Sequence, residues 1–571
     1  MKPYKLLLFS TLFFVSMSTA CSDDDDPVVN PPEPGEVEAS YPNRYYIDPE
    51  NGAYYNTGHS PSQAWESVDR ILERSWGPGD TILIKRGTVY NGSLTLKGNG
   101  SATAPIVLCS YGDEELPIPE IRAGGAKDEA ILMQNIQYWE IHDLKITNKG
   151  EVPRPKSVGI RITAENIEGG IMNHIHIKRC VISDVYGTKT HHLGGGGAGL
   201  HYYNVIESAT PSCFNGLLVE DCHFKDCQRD GLTGYLSTGD RSKRKANTNV
   251  VIRNNVFEGI PGDVIIINGC DGAIVENNIV QNCAPGDFSP EGIDFRAEAA
   301  AAVWCIHSDG TVFRYNIVQD HKATWDGQAF DCDQNCQNTL FEYNISYNNV
   351  GGFLLICPSD YYFDNGYAEL KGLVVRYNVS INDGTRDYVK EDGKILSSTI
   401  DVVGRVVESY IYNNTFIKTK SASQNADNSA ITFNSFTNHP KSMIFSNNIF
   451  YNMTGTANEF YRVTHGDFTE NGPVVFENNC VYGYSGNPPG SGEYNKNTID
   501  ADPKFVRLIT DFVNNNNLID KNQILEGLQL AAGSPCIGSG TAVSDGGYFP
   551  LTKDFWGQPI GSQNNIGAFN H

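Results

Sequence analysis

The chain alternates short apolar segments with brief polar turns, and no helical periodicity separates them. One three-residue phrase recurs every 23 to 42 residues, with an apolar segment before it and a short one after it. Repetition at such a period indicates stacked units, because one unit cannot bury its apolar face alone. The second residue of each phrase is Cys180, Cys222, Asn255, Asn278, Asn316, Asn344, Asn378, Asn414, Asn448 or Asn479.

Each phrase is predicted to form the bend between two strands of a coil. Asn suits such a bend because it tolerates the left-handed region better than any residue except Gly. If the coils stack at the ~4.8 Å strand spacing, each Asn lies over the next and the side-chain amides can form a hydrogen-bonded ladder. The pattern therefore predicts an all-β fold, a right-handed parallel β-helix of about 11 or more coils. A β-sandwich or propeller would need hairpin turns, which the chain lacks.

The two ends of the chain depart from the repeat. The first residues combine lysines, an apolar run and small residues, which is the layout of a secretory signal. An acidic and proline-rich stretch then predicts an extended tether. Caps are expected at both ends of the solenoid because open coils would expose strand edges. The expected organisation is a signal at 1–20, a tether at 21–42, a cap with the first coils at 43–130, the β-helix at 131–500 and a closing segment at 501–571.

Several segments carry a resemblance to known proteins. The stretch 77–87, Gly-Pro-Gly-Asp-Thr-Ile-Leu-Ile-Lys-Arg-Gly, and the closing stretches 533–538 and 565–569 resemble secreted β-helix proteins of the pectate-lyase-like superfamily. The resemblance runs from about Tyr45 to the C-terminus. It implies a carbohydrate-active fold without fixing the reaction, since lyases, hydrolases, esterases and adhesins share this architecture.

A second resemblance concerns the cellular location. Ser18-Thr19-Ala20-Cys21 resembles a bacterial lipobox, and the acidic run after it resembles the export signal of surface lipoproteins in some Gram-negative bacteria. This implies a lipid on Cys21 that anchors a cell-surface protein to the outer membrane. An ordinary signal cleaved near Ala20 is the alternative.

The net charge of the chain limits the classes of molecule that it is expected to bind. A formal net charge of −24 argues against nucleic acid and favours a neutral or weakly charged polysaccharide or oligosaccharide. A monomer is expected.

With Cys21 lipidated, 13 of the 14 cysteines remain, and most are predicted to be small buried residues. Disulfides between Cys222 and Cys227 or between Cys332 and Cys336 stay open.

In proteins of this fold, the bend leads into a strand of the third face, and the next strand along the chain lies on the first face. This first face carries the substrate groove. Carboxylates open four of the five segments that align as strands of this face. Phe330 and Cys332 are predicted to point inward, so Asp331 and Asp333 should point outward together. The five segments are 230–235, 263–268, 291–296, 326–333 and 351–357.

The outward carboxylates have the spacing of glycosidase acids. Residues two apart on a strand are separated by ~6.6 Å and adjacent coils by ~4.8 Å, which brackets the carboxyl separations of retaining and inverting enzymes. We expect Asp331 and Asp333 to be the catalytic acid and base, in an order left open, assisted by Asp326 or Asp294. Arg296 should lie beside Asp331. The alternative is that Asp326 and Asp331 bracket turns and pair with Arg296 as ordinary solvated residues.

Further residues are candidates for substrate binding. Loops beside this face offer aromatic surfaces for sugar rings, a cation and an imidazole. With Arg296, the candidates are Glu291, His321, Lys322, Trp325, Tyr361 and Tyr362.

The leading hypothesis is a glycoside hydrolase without cofactor, and two rivals stay open. A polysaccharide lyase would use Ca²⁺, and residues 325–329 resemble the first calcium segment of one pectate lyase family; Gly351-Gly352 stands where that family has paired Asp. A non-catalytic glycan-binding or adhesive protein is the second rival. His174 and His176 share a strand face and could bind a metal, but packed or exposed histidines are favoured, and no metal site is predicted.

Overall fold

Three long parallel sheets form the body of the protein. The computed structural model describes residues 43–188, 197–283, 299–323, 326–358, 369–386, 397–421, 429–434, 441–456, 458–464, 474–486, 495–507, 513–514, 518–560 and 564–569. Within these ranges the sheets contain 12, 13 and 18 strands, and a separate sheet pairs Asn458–Glu459 with Tyr484–Ser485. We call the three the front, third and long sheets.

The front sheet contains Leu94–Thr95, Glu129–Gln134, Val158–Ala164, Ala198–Asn204, Asp230–Leu236, Ile265–Asn268, Val303–Ile306, Gln328–Asp333, Gly352–Cys357, Ile400–Val402, Ile431–Phe433 and Tyr461–Val463. The third sheet contains Val89–Asn91, Glu120–Arg122, Lys145–Asn148, Val181–Val185, His223–Cys227, Val256–Glu258, Ile279–Gln281, Ile317–Gln319, Ile345–Tyr347, Val379–Ile381, Thr415–Lys418, Ile449–Asn452 and Cys480–Tyr482.

The long sheet contains Arg44–Ile47, Thr81–Lys85, Ile106–Tyr111, Trp139–His142, Ile171–Lys178, Cys213–Glu220, Asn247–Thr248, Val251–Arg253, Cys270–Asp271, Ile274–Glu276, Val312–Arg314, Leu340–Glu342, Leu370–Lys371, Val374–Arg376, Val406–Tyr412, Lys441–Ser446, Val474–Glu477 and Asn495–Lys496. Helical structure is confined to Pro61–Gln63, Asp69–Leu72, Glu168–Gly170 and Lys521–Gly527 in the described part of the chain.

The chain visits the sheets in a fixed order, so the fold is the predicted parallel β-helix. Asp230–Leu236 in the front sheet is followed by Val251–Arg253 in the long sheet, Val256–Glu258 in the third sheet and Ile265–Asn268 in the front sheet again. Each strand pairs in parallel with strands of neighbouring coils. The 12 strands of the front sheet agree with the expected number of coils.

The predicted asparagine ladder is confirmed. From Asn255 to Asn479, each ladder amide donates to the side-chain oxygen of the next at 2.9 to 3.0 Å. These amides are fully buried, and the same oxygens accept backbone N–H groups. The bend itself differs from the expectation, because the residue with positive φ is the one before the ladder Asn, such as Tyr343 (φ 57°). The ladder Asn therefore satisfies buried backbone groups instead of supplying the left-handed turn.

The core inside the coils is apolar and stacked. Rings of successive coils lie face to face, as in the pairs Phe224–Phe257 and Phe313–Phe341, whose centroids are 4.6 Å apart. Among the buried cysteines, Cys222, Cys227, Cys332 and Cys336 are free thiols. Neither of the two disulfides left open by the sequence is formed.

The closing segment lies along the side of the solenoid. Ile524, Leu528 and Phe569 pack with tyrosines that follow the strands of the long sheet. The hydroxyl of Tyr343 donates to the carbonyl of Lys553 at 2.5 Å. The buried guanidinium of Arg376 contacts Asp545 at 3.2 Å. This segment covers an apolar stripe formed by several coils.

The signal, the tether and Cys21 lie outside the described residues. A search of the described residues for a helix with the length and hydropathy of a membrane span returns none.

Candidate active site

The strand register defines which side chains of the front sheet share a face. Four of the five predicted segments are confirmed as front-sheet strands, and Gln328–Asp333 pairs with Gly352–Cys357 as expected. The third assignment was wrong, because Val303–Ile306 occupies that position and Trp304 pairs with Asp331. Glu291, Asp294 and Arg296 lie outside the described residues. The residue that pairs with Asp331 on this side is Trp304, where the sequence predicts Arg296.

Asp331 lies on the outer side of its strand, yet it is buried. Its neighbours along the strand, Phe330 and Cys332, belong to the interior core, as predicted. On the two adjacent strands it is flanked by Trp304 and Leu355, and it is 6 % exposed. Its Oδ1 has no hydrogen-bond partner among the described residues. The alternative of an ordinary solvated carboxylate is thus wrong for Asp331.

Three carboxylates perturb one another at this position. Burial raises the pKa of Asp331 well above its ordinary value, and the charges of Asp333 and Asp326 raise it further. The pKa of Asp333 is raised to about 8, mainly by burial, against a hydrogen bond from the backbone N–H of Gln334 at 2.7 Å. Asp333 and Asp326 are partly exposed. Near neutral pH the cluster therefore retains protons on Asp331 and Asp333.

A buried arginine lies next to this cluster. Arg229 is 1 % exposed and contacts Asp230 Oδ1 at 3.1 Å and Asp263 Oδ2 at 2.9 Å. Asp263 also accepts a hydrogen bond from the indole N–H of Trp304 at 2.9 Å. Two of the carboxylates that open front-sheet segments thus neutralise a buried cation. Asp263 also binds the indole of Trp304, the strand neighbour of Asp331, and therefore positions this side chain.

The backbone at Asp326 is fixed from two sides. The buried guanidinium of Arg386 donates to the carbonyl of Ala323 at 3.2 Å and to the carbonyl of Asp326 at 2.5 Å. On the next coil, a Cβ added at Gly351 would lie 1.7 Å from the carbonyl oxygen of Asp326. Only glycine fits there, so the backbone of Asp326 packs directly on the following coil.

The other predicted binding residues separate into two groups. His321 is fully buried, its Nε2 lies 3.1 Å from the carbonyl of Ala300, and burial lowers its pKa to about 4. Lys322 directs its ammonium to the carbonyl of Asn348 at 2.5 Å. His321 is therefore shielded from solvent, whereas Lys322 is partly exposed and its place beside the groove stays a prediction. Trp325, Tyr361 and Tyr362 lie outside the described residues.

Sequence reasoning missed Arg229, Trp304 and Arg386. Arg229 directly precedes a front-sheet strand that begins with Asp230, and this adjacency of opposite charges was an available signal. Trp304 lies on Val303–Ile306, the strand that stands where the sequence analysis expects segment 291–296. Arg386 comes from a loop after the third sheet, and nothing in its local sequence indicates its contact with Asp326.

The comparisons with known proteins agree with this architecture. No protein-family model matches the chain. The chain is 25 % identical to a lacto-N-biosidase of Bifidobacterium longum over 92 % of its own length, but it spans only 36 % of that protein. The crystal structure of a GH136 lacto-N-biosidase from Eubacterium ramulus matches with a TM-score of 0.53, 22 % identity and coverage of 70 % of this chain and 67 % of that one. The xylose complex of XylC matches with a TM-score of 0.51, 12 % identity and coverage of 92 % and 98 %.

The structural matches support a parallel β-helix fold of the kind found in carbohydrate-active proteins, as the sequence resemblance implied. The sequence match to the lacto-N-biosidase extends over 92 % of this chain.

Proposed function

We propose that the protein is a glycoside hydrolase acting on a polysaccharide or oligosaccharide at the front sheet. The observation that carries the proposal is the cluster of Asp326, Asp331 and Asp333, in which two carboxyl groups have raised pKa values. Glycoside hydrolysis needs one protonated carboxyl group and one carboxylate near the same bond. The sequence similarity to a lacto-N-biosidase supports this class of reaction.

The solvent exposure of the three carboxyl groups indicates which of them acts as acid and which as base. The acid must reach the glycosidic oxygen, and Asp333 is both partly exposed and protonated near neutral pH, with a pKa raised to about 8. Asp326 is the other partly exposed carboxylate, and it serves as base or nucleophile. Asp331 is buried, and its own protonation limits the negative charge of the site. This refines the expected pair of Asp331 and Asp333 on the basis of accessibility.

A lyase has less support. The position at which a calcium-dependent lyase would carry acids is Gly351, and a Cβ there would collide with the carbonyl of Asp326. Aspartate could not occupy this position without displacing the backbone of the site.

The test is a panel of chromogenic glycosides and natural glycans that includes a lacto-N-bioside. We expect release of reducing ends, no product absorbing near 232 nm (the value for unsaturated uronates), and full activity in EDTA. Asp326→Asn and Asp333→Asn should each lower kcat by about 10²- to 10⁴-fold. Full activity of both folded variants would refute the assignment. Retention on a glycan column without new reducing ends would indicate a binding protein instead.

We further propose that a lipid on Cys21 holds the protein at the outer surface of the outer membrane. Cys21 follows Ala20, and the acidic run that begins at Asp23 directly succeeds it. Cys21→Ser should release the protein from the membrane fraction of the native host. Surface proteolysis of intact cells should digest the unaltered chain, and protection from the protease would contradict surface exposure.

A further inference from the structure

A second cluster of functional groups lies on the long sheet, away from the carboxylates of the front sheet. Trp139–His142 and Ile171–Lys178 are adjacent parallel strands, and Glu140 pairs with His176 while His142 pairs with Lys178. His174 has a φ of 50°, and its ring lies 3.7 Å from that of His176, centroid to centroid. Two imidazoles and one carboxylate are therefore directed at a common point.

The ligand atoms have the spacing of a metal site. Glu140 Oε1 lies 2.7 Å from His174 Nε2 and 3.6 Å from His176 Nδ1. All three atoms lie within 4.8 Å of one another. Ligands that bind zinc at ~2.0 to 2.1 Å in tetrahedral geometry lie about 3.4 Å apart, and the two measured separations bracket this value. Small side-chain rotations would thus bring the three atoms into coordination distance.

The second oxygen of Glu140 is held by other groups. Oε2 lies 2.9 Å from His142 Nε2 and 3.3 Å from Lys178 Nζ. This division leaves Oε1 to the two histidines. The contact with His142 resembles the outer-shell support that fixes ligand orientation in metal sites, whereas Lys178 adds a positive charge that a bound cation would oppose. The ammonium of Lys178 therefore contacts the oxygen that is not needed as a ligand.

An unpaired ring nitrogen points to a missing partner. His176 Nδ1 is a buried atom and makes no hydrogen bond within the described ranges. Burying such a nitrogen without a partner is costly, and a metal ion would satisfy it. The side chain of His174 is 31 % exposed, so an ion has a path from solvent.

We propose that Glu140, His174 and His176 bind a divalent transition-metal ion such as Zn²⁺, with solvent in the remaining position. Three protein ligands of N and O type suit zinc. The ligands come from two successive coils, so the ion would join these coils on their outer face.

The experiment uses the metal-stripped full chain without a histidine tag, titrated with Zn²⁺ against a chromophoric zinc indicator. We expect one ion per chain and a higher thermal midpoint with zinc than with EDTA. His174→Ala and His176→Ala should weaken binding more than 10-fold, because losing even an outer-shell partner of a ligand typically costs about 10- to 100-fold in affinity. His223→Ala is the matched control, because His223 also faces a carboxylate, Glu258, at 3.4 Å but without a second histidine. It should bind zinc like the unaltered chain.

Two further variants separate a metal site from an ion-pair cluster. Lys178→Met removes a positive charge close to the ion and should tighten zinc binding severalfold, whereas an ion-pair cluster would only lose stability. Glu140→Gln, which preserves the size of the side chain, should weaken binding if His174→Ala fails to fold. Cobalt substitution should give visible absorption bands of a tetrahedral site. Absence of stoichiometric binding, or equal binding by the His174 and His223 variants, would overturn the proposal.

Discussion

Asp333→Asn is expected to make the protein more stable at neutral pH while removing its activity. The pKa of Asp333 is raised from an ordinary value of 3.8 to about 8 in the folded chain, chiefly by desolvation in its partly buried position. Between these two values the unfolded chain is ionised at this position and the folded chain is protonated. The folded state therefore binds more protons, and its stability falls as pH rises through this interval.

The size of the stability change follows from the pKa shift of Asp333. Each pH unit above the ordinary pKa costs about 1.4 kcal/mol, so ionisation linkage at Asp333 removes stability on the order of a few kcal/mol by pH 7. Asparagine does not ionise, and its Oδ1 can still accept the N–H of Gln334 that Asp333 accepts at 2.7 Å. The variant should avoid this loss at pH 7 and should match the unaltered chain near pH 4.

The assay is urea unfolding followed by circular dichroism at pH 4, 5.5, 7 and 8. The control is Asp48→Asn, which should act in the opposite direction. Burial raises the pKa of Asp48, but Lys85 at 2.6 Å and the N–H groups of Asn51 and Glu50 bring it below the ordinary value. Its stabilisation is present at neutral pH and lost in acid. If Asp333→Asn lowers stability at pH 7, or leaves the pH slope unchanged, Asp333 is not a buried protonated acid.

Three more predictions concern the pH profile, the support of Asp326 and the ladder. Because Asp333 must be protonated to act as acid, kcat should fall as pH rises above about 8, and a rate that keeps rising to pH 10 would exclude this role. Gly351→Ala should lower kcat at least 100-fold in a folded protein, because its Cβ would meet the carbonyl oxygen of Asp326 at 1.7 Å, whereas Gly77→Ala, with its nearest neighbour at 3.8 Å, should be silent in the same assay. Asn344→Ala removes four buried hydrogen bonds and should cost roughly 3 to 6 kcal/mol in urea unfolding, while the exposed Asn522→Ala should cost almost nothing. Equal stability of the Asn344 and Asn522 variants would refute an energetic role of the ladder.

The ladder could be predicted from sequence because its cause is local. Each coil repeats one bend, and the buried amide beside it must satisfy the same backbone groups in every coil, as Asn344 does for Phe313. The residue with the left-handed backbone was misassigned by one position, since Tyr343 occupies that region without being a typical residue for it.

The candidate site was only partly predictable. The alternation of Phe330, Asp331, Cys332 and Asp333 correctly gave the inward residues. Segment 291–296 alternates in the same way as a strand, and period-two alternation alone cannot distinguish it from Val303–Ile306. The burial of Asp331 depends on side chains contributed by neighbouring coils, which no single strand reveals.

The contacts of Asp326 illustrate the same limit. Arg386 follows it by 60 residues and reaches its carbonyl only because the two segments lie on nearby coils. Such a contact is set by the lengths of the intervening loops. Glycine at 351 was visible in the sequence, but its steric reason appears only when the coils are stacked.

The closing segment changes how the solenoid can fold. A repeat protein can in principle form coil by coil from local contacts. Here Tyr343 and Lys553, 210 residues apart, make a hydrogen bond, and Ile519 donates to Gln319 across 200 residues. During synthesis, the apolar stripe of the middle coils stays uncovered until the C-terminal part of the chain has been made. Contacts of such high sequence separation slow folding, so the final step should be a late docking event that depends on the C-terminal residues.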